Sequence, residues 1–244
     1  MPNPSPVIGK FPNWKVQDGK FLPFFLKKNA FVNHVQAQLQ TLDLPKECSI
    51  YIRGSRIEDA NHHPLADIDL IVLSPFECIE DVFSKLTPWM EQSLIPIDIR
   101  KKTPSRVHVD PHIRLLLHTR SIHIFGERHI FHPVPANLET MQKIFHDYAY
   151  YQFPPILRSG FQLRLLQLKL LTRSFGCIGF LQGHPFTRDV ATCIHIAKSN
   201  DRHVGLLLEE YWERICEEQP LSEFNILPII ELLLKKERAS GLLC

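Results

Sequence analysis

Every stretch that reads as a β-strand lies in the first half of this chain. Four short segments carry the signal: 47–55 (ECSIYIRGS), 66–74 (ADIDLIVLS), 95–102 (IPIDIRKK) and 121–126 (SIHIFG). Each is rich in β-branched or aromatic residues and is bounded by turn formers. Two helical patterns are interleaved with them. One runs over 22–44 and stops at Pro45; the other covers 75–94 and is disturbed at Pro88. A third helix is expected to start at Asp110-Pro111, a capping residue followed by a proline at the first helical position. After about residue 130 only helical patterns remain, at 137–153, 155–175, 187–199, 204–218 and 224–239. The expected fold class is therefore α+β: a mixed β-sheet flanked by helices, followed by an all-α helical-bundle domain. The expected domains are an irregular leader over 1–20, an α/β domain over 21–130 and a helical domain over 136–244. The tract FHPVPA at 131–136 is their linker.

Composition excludes more than it suggests. The 244 residues are 44% apolar and 22% charged, ordinary for a globular protein, with a formal net charge of +2. That charge does not advertise nucleic-acid binding, although a local basic patch stays compatible with it. None of the six cysteines forms a C-x-x-C pair, and all lie in apolar surroundings, which reads as buried free thiols in a reducing compartment. The N-terminal segment MPNPSPVIGKFPNW has no apolar core flanked by basic residues. The apolar runs are too short and too interrupted to span a bilayer. The expectation is a cytoplasmic protein with no membrane partner.

Against that ordinary background, the second strand is unusual. Strands disfavour aspartate, and a buried carboxylate is costly unless it is paired or bound to metal. Asp67 and Asp69 nevertheless stand one residue apart in it. Strand side chains alternate between faces, so these two point one way while Ile68 and Leu70 point the other. Asp98 has the same setting between Ile97 and Ile99. If the two strands pair, their backbones lie about 4.8 Å apart and three carboxylates share one patch. A divalent cation would relieve that crowding, and oxygen-only ligation suits Mg²⁺ or Mn²⁺. The plainer alternative is three aspartates at strand ends facing water.

The first strand runs straight into Gly54-Ser55. Glycine lets backbone approach a bulky anion, and exposed N–H groups with a serine hydroxyl can hold phosphate oxygens. The same dipeptide also makes an ordinary tight turn.

Together, Gly54-Ser55, the eleven residues that follow, Asp67-Ile68-Asp69-Leu70 and the later strand bearing Asp98 resemble the DNA polymerase β-like nucleotidyltransferase superfamily. The resemblance covers about residues 22–126, and SIHIFGE at 121–127 looks like the short strand that often closes this core. It implies that Gly54 and Ser55 grip the β- and γ-phosphates of a nucleoside triphosphate. It implies that Asp67, Asp69 and Asp98 ligate two Mg²⁺ or Mn²⁺ ions, and that Asp98 also activates the acceptor hydroxyl. Attack on the α-phosphorus would then release pyrophosphate. The implied co-substrate is ATP or another nucleoside triphosphate. The polar spacer RIEDANHHPLA contains Pro64, so the helix behind the turn is expected to be short.

Weaker signals surround this core. Arg56 follows the turn and is a candidate phosphate ligand; a solvated side chain is the alternative. Arg100, Lys101, Lys102 and Arg106 read as a basic loop beside the acids, able to receive a phosphorylated or nucleic-acid acceptor or simply solvated. In the helix over 155–175, Arg158, Gln162, Lys169 and Arg173 fall on one stripe. Lys169 is the candidate for the basic residue that, in several branches of the superfamily, touches the triphosphate from a helix after the core. His108 and His112 are four apart, but a helix start at Pro111 separates them; His62 and His63 read as exposed loop. The expected activity is transfer of a nucleoside monophosphate, AMP above all, to the hydroxyl of a small molecule or protein, with RNA as an alternative acceptor. A second reading is a non-catalytic, antitoxin-like binding protein that meets a protein partner through apolar helices such as LLLEEYWERICEE.

Overall fold

In the computed structural model, residues 12–24, 26–58, 68–95, 97–150, 160–217 and 225–239 are described. Asp67, His62, His63, Arg158 and Cys244 lie outside them, as do the side chains of Ser55, Gln162 and Cys216. The chain divides into two compact units. One comprises Lys20–Val134; the other comprises Met1–Gly19 with Pro135–Cys244.

The Lys20–Val134 unit is α+β. Among the described residues its larger sheet has four strands: β1 (Ser49–Arg53), β2 (Ile68–Leu73), β3 (Ile97–Lys102) and β4 (Ser121–Phe125). Their spatial order is β3-β2-β1-β4, so β3 is an edge. β1 pairs antiparallel with both β2 and β4, whereas β2 and β3 are parallel. The parallel pair needs a crossover, and α3 supplies it. Helices α1 (Ala30–Gln40), α2 (Ser55–Glu58), α3 (Ile79–Gln92), α4 (Pro104–Val109) and α5 (Pro111–Thr119) complete the unit.

Strand alternation sorts the core into two layers. Ile50, Ile52, Ile68, Leu70, Val72, Ile122 and Ile124 face α1 and α3, meeting Val32, Val35, Leu39, Val82 and Leu86. The opposite face sends Tyr51, Ile71 and Leu73 against Val107 of α4 and Ile113 and Leu117 of α5. The second layer is shorter, because the strand ends on that face carry polar residues.

Four local outcomes differ from the sequence reading. First, α1 begins at Ala30, not near residue 22, because Asn29 caps it by accepting from the Val32 amide at 2.9 Å. Phe24 lies ahead of that helix, where its ring meets the Arg120 guanidinium at 4.2 Å. Second, α3 runs through Pro88. Ser84, whose carbonyl loses its helical donor there, is exposed to water. Third, the basic tract is not a loop. Arg100, Lys101 and Lys102 belong to β3, and Arg106 sits in α4, where Thr103 is the N-cap and Pro104 follows at the first turn. Fourth, the tract at 131–136 is more than a spacer. Phe131 and Val134 are buried, and the Phe21 amide donates to the Val134 carbonyl.

The other unit is mostly helical among its described residues: α6 (Leu138–Tyr150), α7 (Gly160–Leu181), α8 (Val190–Asn200), α9 (Arg202–Cys216) and α10 (Leu227–Ala239). The expected irregular leader also holds a two-residue strand, Val16–Gln17, which pairs with Lys20–Phe21. Phe145, Tyr148, Phe175, Phe186 and Leu208 are buried in it. Trp14 joins this core, its ring 4.9 Å from that of Phe186. Helix α7 continues past Phe175, where the sequence reading ended it. Gly176, one residue further on, is a packing point: a Cβ on it would stand 2.1 Å from the Thr187 carbonyl oxygen. No helix among the described residues is long and apolar enough to cross a membrane.

Candidate active site

The acid-bearing strands meet in register. Asp69 of β2 is paired with Asp98 of parallel β3, and with Arg53 of antiparallel β1; Arg53 is in turn paired with Ser121 of β4. One row across the sheet therefore reads Asp98, Asp69, Arg53, Ser121. All four share the face of Tyr51 and Ile71, at the level where β1 ends and β2 and β3 begin. Ile97 and Ile99 pack into the opposite layer, which fixes the face of Asp98.

Arg53 is the residue that sequence reasoning overlooked. It is 6% exposed, and its Nη2 donates to Asp69 Oδ1 at 3.0 Å. Its Nε finds no acceptor among the described residues. An arginine in a strand next to a turn reads as a solvated residue. Only the antiparallel pairing of β1 with β2, which strand parity alone does not specify, brings it opposite Asp69.

Gly54 closes β1 with φ of +100°, a conformation that suits glycine. Its missing side chain also makes room for the acid, since a Cβ there would lie 2.4 Å from Asp69 Oδ2. Asp69 thus has Arg53 against one oxygen and the Gly54 backbone against the other. The chain turns at once into α2, whose first residue is Ser55, and the Ile57 amide donates to the Gly54 carbonyl at 3.1 Å. The helix described behind the turn is four residues long.

The remaining candidates are distributed differently. Arg56 is buried, with its guanidinium 5.2 Å from the Phe31 ring centroid, on the α1 side. Asp98 is one-third exposed and has Arg100 Nε 3.9 Å from its Oδ2. Alternation splits the basic run: Lys101 Nζ sits 3.3 Å from the Phe83 ring centroid on the α3 side, whereas Arg100 and Lys102 share the face of Asp98. Lys102 Nζ is 4.0 Å from Asp110 Oδ2. Arg106 is exposed on α4. Lys169 is half-buried on α7, in the other unit, as is Arg173. His108 and His112 fall on separate helices, α4 and α5.

Two histidines on or near this face are held below the ordinary imidazole range. Burial lowers His118, and burial together with the charges of Arg128, Lys28 and His129 lowers His123. Tyr51, beside His123, is raised mainly by burial, and its hydroxyl accepts from the His129 amide at 3.0 Å. That anchors β1 to the segment after β4 and leaves Tyr51 a structural role.

Among the described residues no three His, Cys, Asp or Glu side chains gather as a metal-binding group. Asp67, the third acid of the expected set, lies outside those residues. No protein-family model matches the chain, and no curated protein matches it either.

Proposed function

We propose that this protein is a divalent-metal-dependent nucleotidyltransferase. It would move a nucleoside monophosphate, AMP from ATP first of all, onto an acceptor hydroxyl of a small molecule or protein. The observation that supports this reading best is the register of Asp69 with Asp98 on neighbouring parallel strands, beside the left-handed glycine that ends β1. The donor chemistry fits Mg²⁺ or Mn²⁺: both side chains offer only oxygen, and they project from one face of the sheet. Asp69 and Asp98 would hold the cation, with Asp67 as the third ligand that the sequence pattern implies. Bound there, the metal would supply charge neutralisation for the phosphates and a lower pKa for a bound hydroxyl.

The chain's own groups have defined parts in this reaction. Gly54 gives the triphosphate close access to backbone, and Ser55 follows it at the first residue of α2. Arg53 fixes the orientation of Asp69. Asp98 takes the proton from the acceptor hydroxyl as its oxygen bonds to the α-phosphorus. The bond from the α-phosphorus to the bridging oxygen breaks, and pyrophosphate leaves with that electron pair. Arg56 is buried against Phe31 on the α1 side and Lys169 belongs to the other unit, so neither has a part in this step.

The test is transfer of label from α-labelled ATP with Mg²⁺ into candidate small-molecule, protein and RNA acceptors. Transfer is expected, with Asp98→Asn slowing it by about a hundredfold or more. Label that stays on nucleotide with all four triphosphates and every acceptor class would overturn the reading.

The ion pair of Arg53 with Asp69 favours a second reading, in which the acid is neutralised within the protein and the fold serves as a non-catalytic binding partner. Calorimetry with Mn²⁺ separates the two. Equal heats for the parent and for Asp69→Asn with Asp98→Asn would support the second.

A further inference from the structure

Arg53 carries a charge that the empty site uses only in part. We propose that it is the cation that meets the phosphates of the nucleotide: it holds Asp69 while the site is empty, and changes partner to the triphosphate once Asp69 is taken up by a divalent cation. The proposal rests on the transferase reading, since it names a further binding residue of that same site. Three observations carry it. First, the guanidinium is 6% exposed and reaches Asp69 through one bond, from Nη2 to Oδ1 at 3.0 Å, while its Nε is buried with no acceptor among the described residues. A guanidinium favours paired bonds to a carboxylate or phosphate, so a single bond beside a stranded Nε leaves it short of partners. Second, both oxygens of Asp69 are flanked. Arg53 stands at Oδ1, a Cβ on Gly54 would lie 2.4 Å from Oδ2, and the side chain is 20% exposed. A divalent cation held by Asp69 therefore has a like charge beside it unless Arg53 changes partner. Third, Arg53 directly precedes Gly54, whose φ of +100° ends β1 at the turn assigned to the phosphates.

Burial makes the exchange conditional on an anion. A buried arginine that gives up its carboxylate keeps an uncompensated charge, which is costly. Arg53 thus opposes a divalent cation that arrives alone, and favours one that arrives with a phosphate to replace Asp69 as counter-ion. A phosphate also offers the two oxygens that a guanidinium fork fits, enough for Nε as well as Nη2. Cation and nucleotide then bind with positive coupling, and by linkage each tightens the other. An arginine that did nothing except position Asp69 has a different signature. Its loss would loosen the carboxylate and weaken every ligand of the site alike.

The experiment measures two affinities of the full chain by calorimetry: Mn²⁺ alone, and ATP at saturating Mg²⁺. In Arg53→Gln, Mn²⁺ alone is expected to bind tighter by about fivefold or more, because a repelling charge has gone. The same variant is expected to bind Mg²⁺-ATP about tenfold or more weaker, having lost charge-assisted bonds to phosphate. Arg53→Lys keeps the charge without the fork, and serves as the second variant should Arg53→Gln unfold, with circular dichroism as the check. It is expected to leave Mn²⁺ binding within about twofold of the parent and to weaken Mg²⁺-ATP by about threefold or more. Opposite shifts of the two ligands in Arg53→Gln support the proposal, and any result without that opposition overturns it. If only Arg53→Lys folds, a Mg²⁺-ATP affinity equal to the parent's overturns it. Asp98→Asn separates these failures from failure of the transferase reading. If the parent binds Mg²⁺-ATP and Asp98→Asn weakens it, while Arg53→Gln moves both ligands alike, only the proposal for Arg53 falls. If the parent binds neither Mn²⁺ nor Mg²⁺-ATP, both fall.

Discussion

At the scale of single residues, the site depends on a countercharge that the chain provides itself. Arg53 is almost fully buried and bonds one oxygen of Asp69, and Gly54 leaves space for the other. Removing one member of a buried ion pair costs more than removing both, because it strands a charge. Arg53→Met is therefore expected to destabilise the protein by about 2 kcal/mol, and Asp69→Asn by somewhat less. The double variant should cost less than the sum, with a coupling energy of about 1–3 kcal/mol in urea denaturation. Additive costs would show that the two side chains do not act as a pair. Gly54→Ala tests the other side of the carboxylate. A left-handed φ costs an alanine about 1–2 kcal/mol, and its Cβ would collide with Asp69 Oδ2. We expect a loss of about 2 kcal/mol or more. Asp69→Gly introduced alongside should recover the part due to the collision, whereas equal losses in both backgrounds would assign the whole cost to backbone strain.

At the scale of elements, what the sequence disclosed depended on how far apart the deciding contacts lie. The four strands of the sheet stand where alternation and turn residues put them, because those signals are local. The shared face of Asp69 and Ile71 follows from parity within one strand. The partner of Asp69 does not follow, since the pairing of Arg53 with it is set by an antiparallel neighbour 16 residues earlier in the chain. Helix α4 reads as a basic loop because it buries only Val107, although Thr103 and Pro104 mark its start. Helix α7 runs on past its expected end at Phe175. Glycine weakens a helix locally, yet Gly176 stands where the Thr187 backbone comes close, and only the tertiary fold contains that fact. Gly176→Ala accordingly gives an element-scale prediction. Intrinsic propensity alone would stabilise the helix by up to about 1 kcal/mol. The clash with a backbone carbonyl, which cannot rotate away, should reverse the sign and cost about 2 kcal/mol or more. Thermal unfolding decides it, and an unchanged or higher Tm would mean that α7 and the segment at Thr187 part easily.

At the scale of the whole molecule, the two units carry different titratable cores. His118 and His123 both belong to the Lys20–Val134 unit, and burial holds each below its ordinary pKa. The folded state therefore resists protonating them, while the unfolded chain binds those protons near pH 6.5. Between the unfolded value and the lower folded values, the unfolded state holds more protons, so stability rises with pH across that window. Their contribution is complete above about pH 6.5 and is lost progressively as the pH falls through the folded values. The loss belongs to the sheet-bearing unit. Amide hydrogen exchange at two pH values, corrected for the intrinsic rate, reads it directly. Protection in β1, β2 and β4 should fall between pH 7.5 and pH 5.5 by more than protection in α7 and α8. His118→Gln with His123→Gln should shrink that difference, because neither glutamine takes up a proton. Equal loss of protection in both units, or a difference that survives the double substitution, would mean that groups other than these two histidines govern the acid response. A selective loss would place the acid-sensitive part of the protein in the same unit as Asp69 and Asp98, so nucleotide-transfer assays would have to be run above about pH 6.5 to report on an intact site.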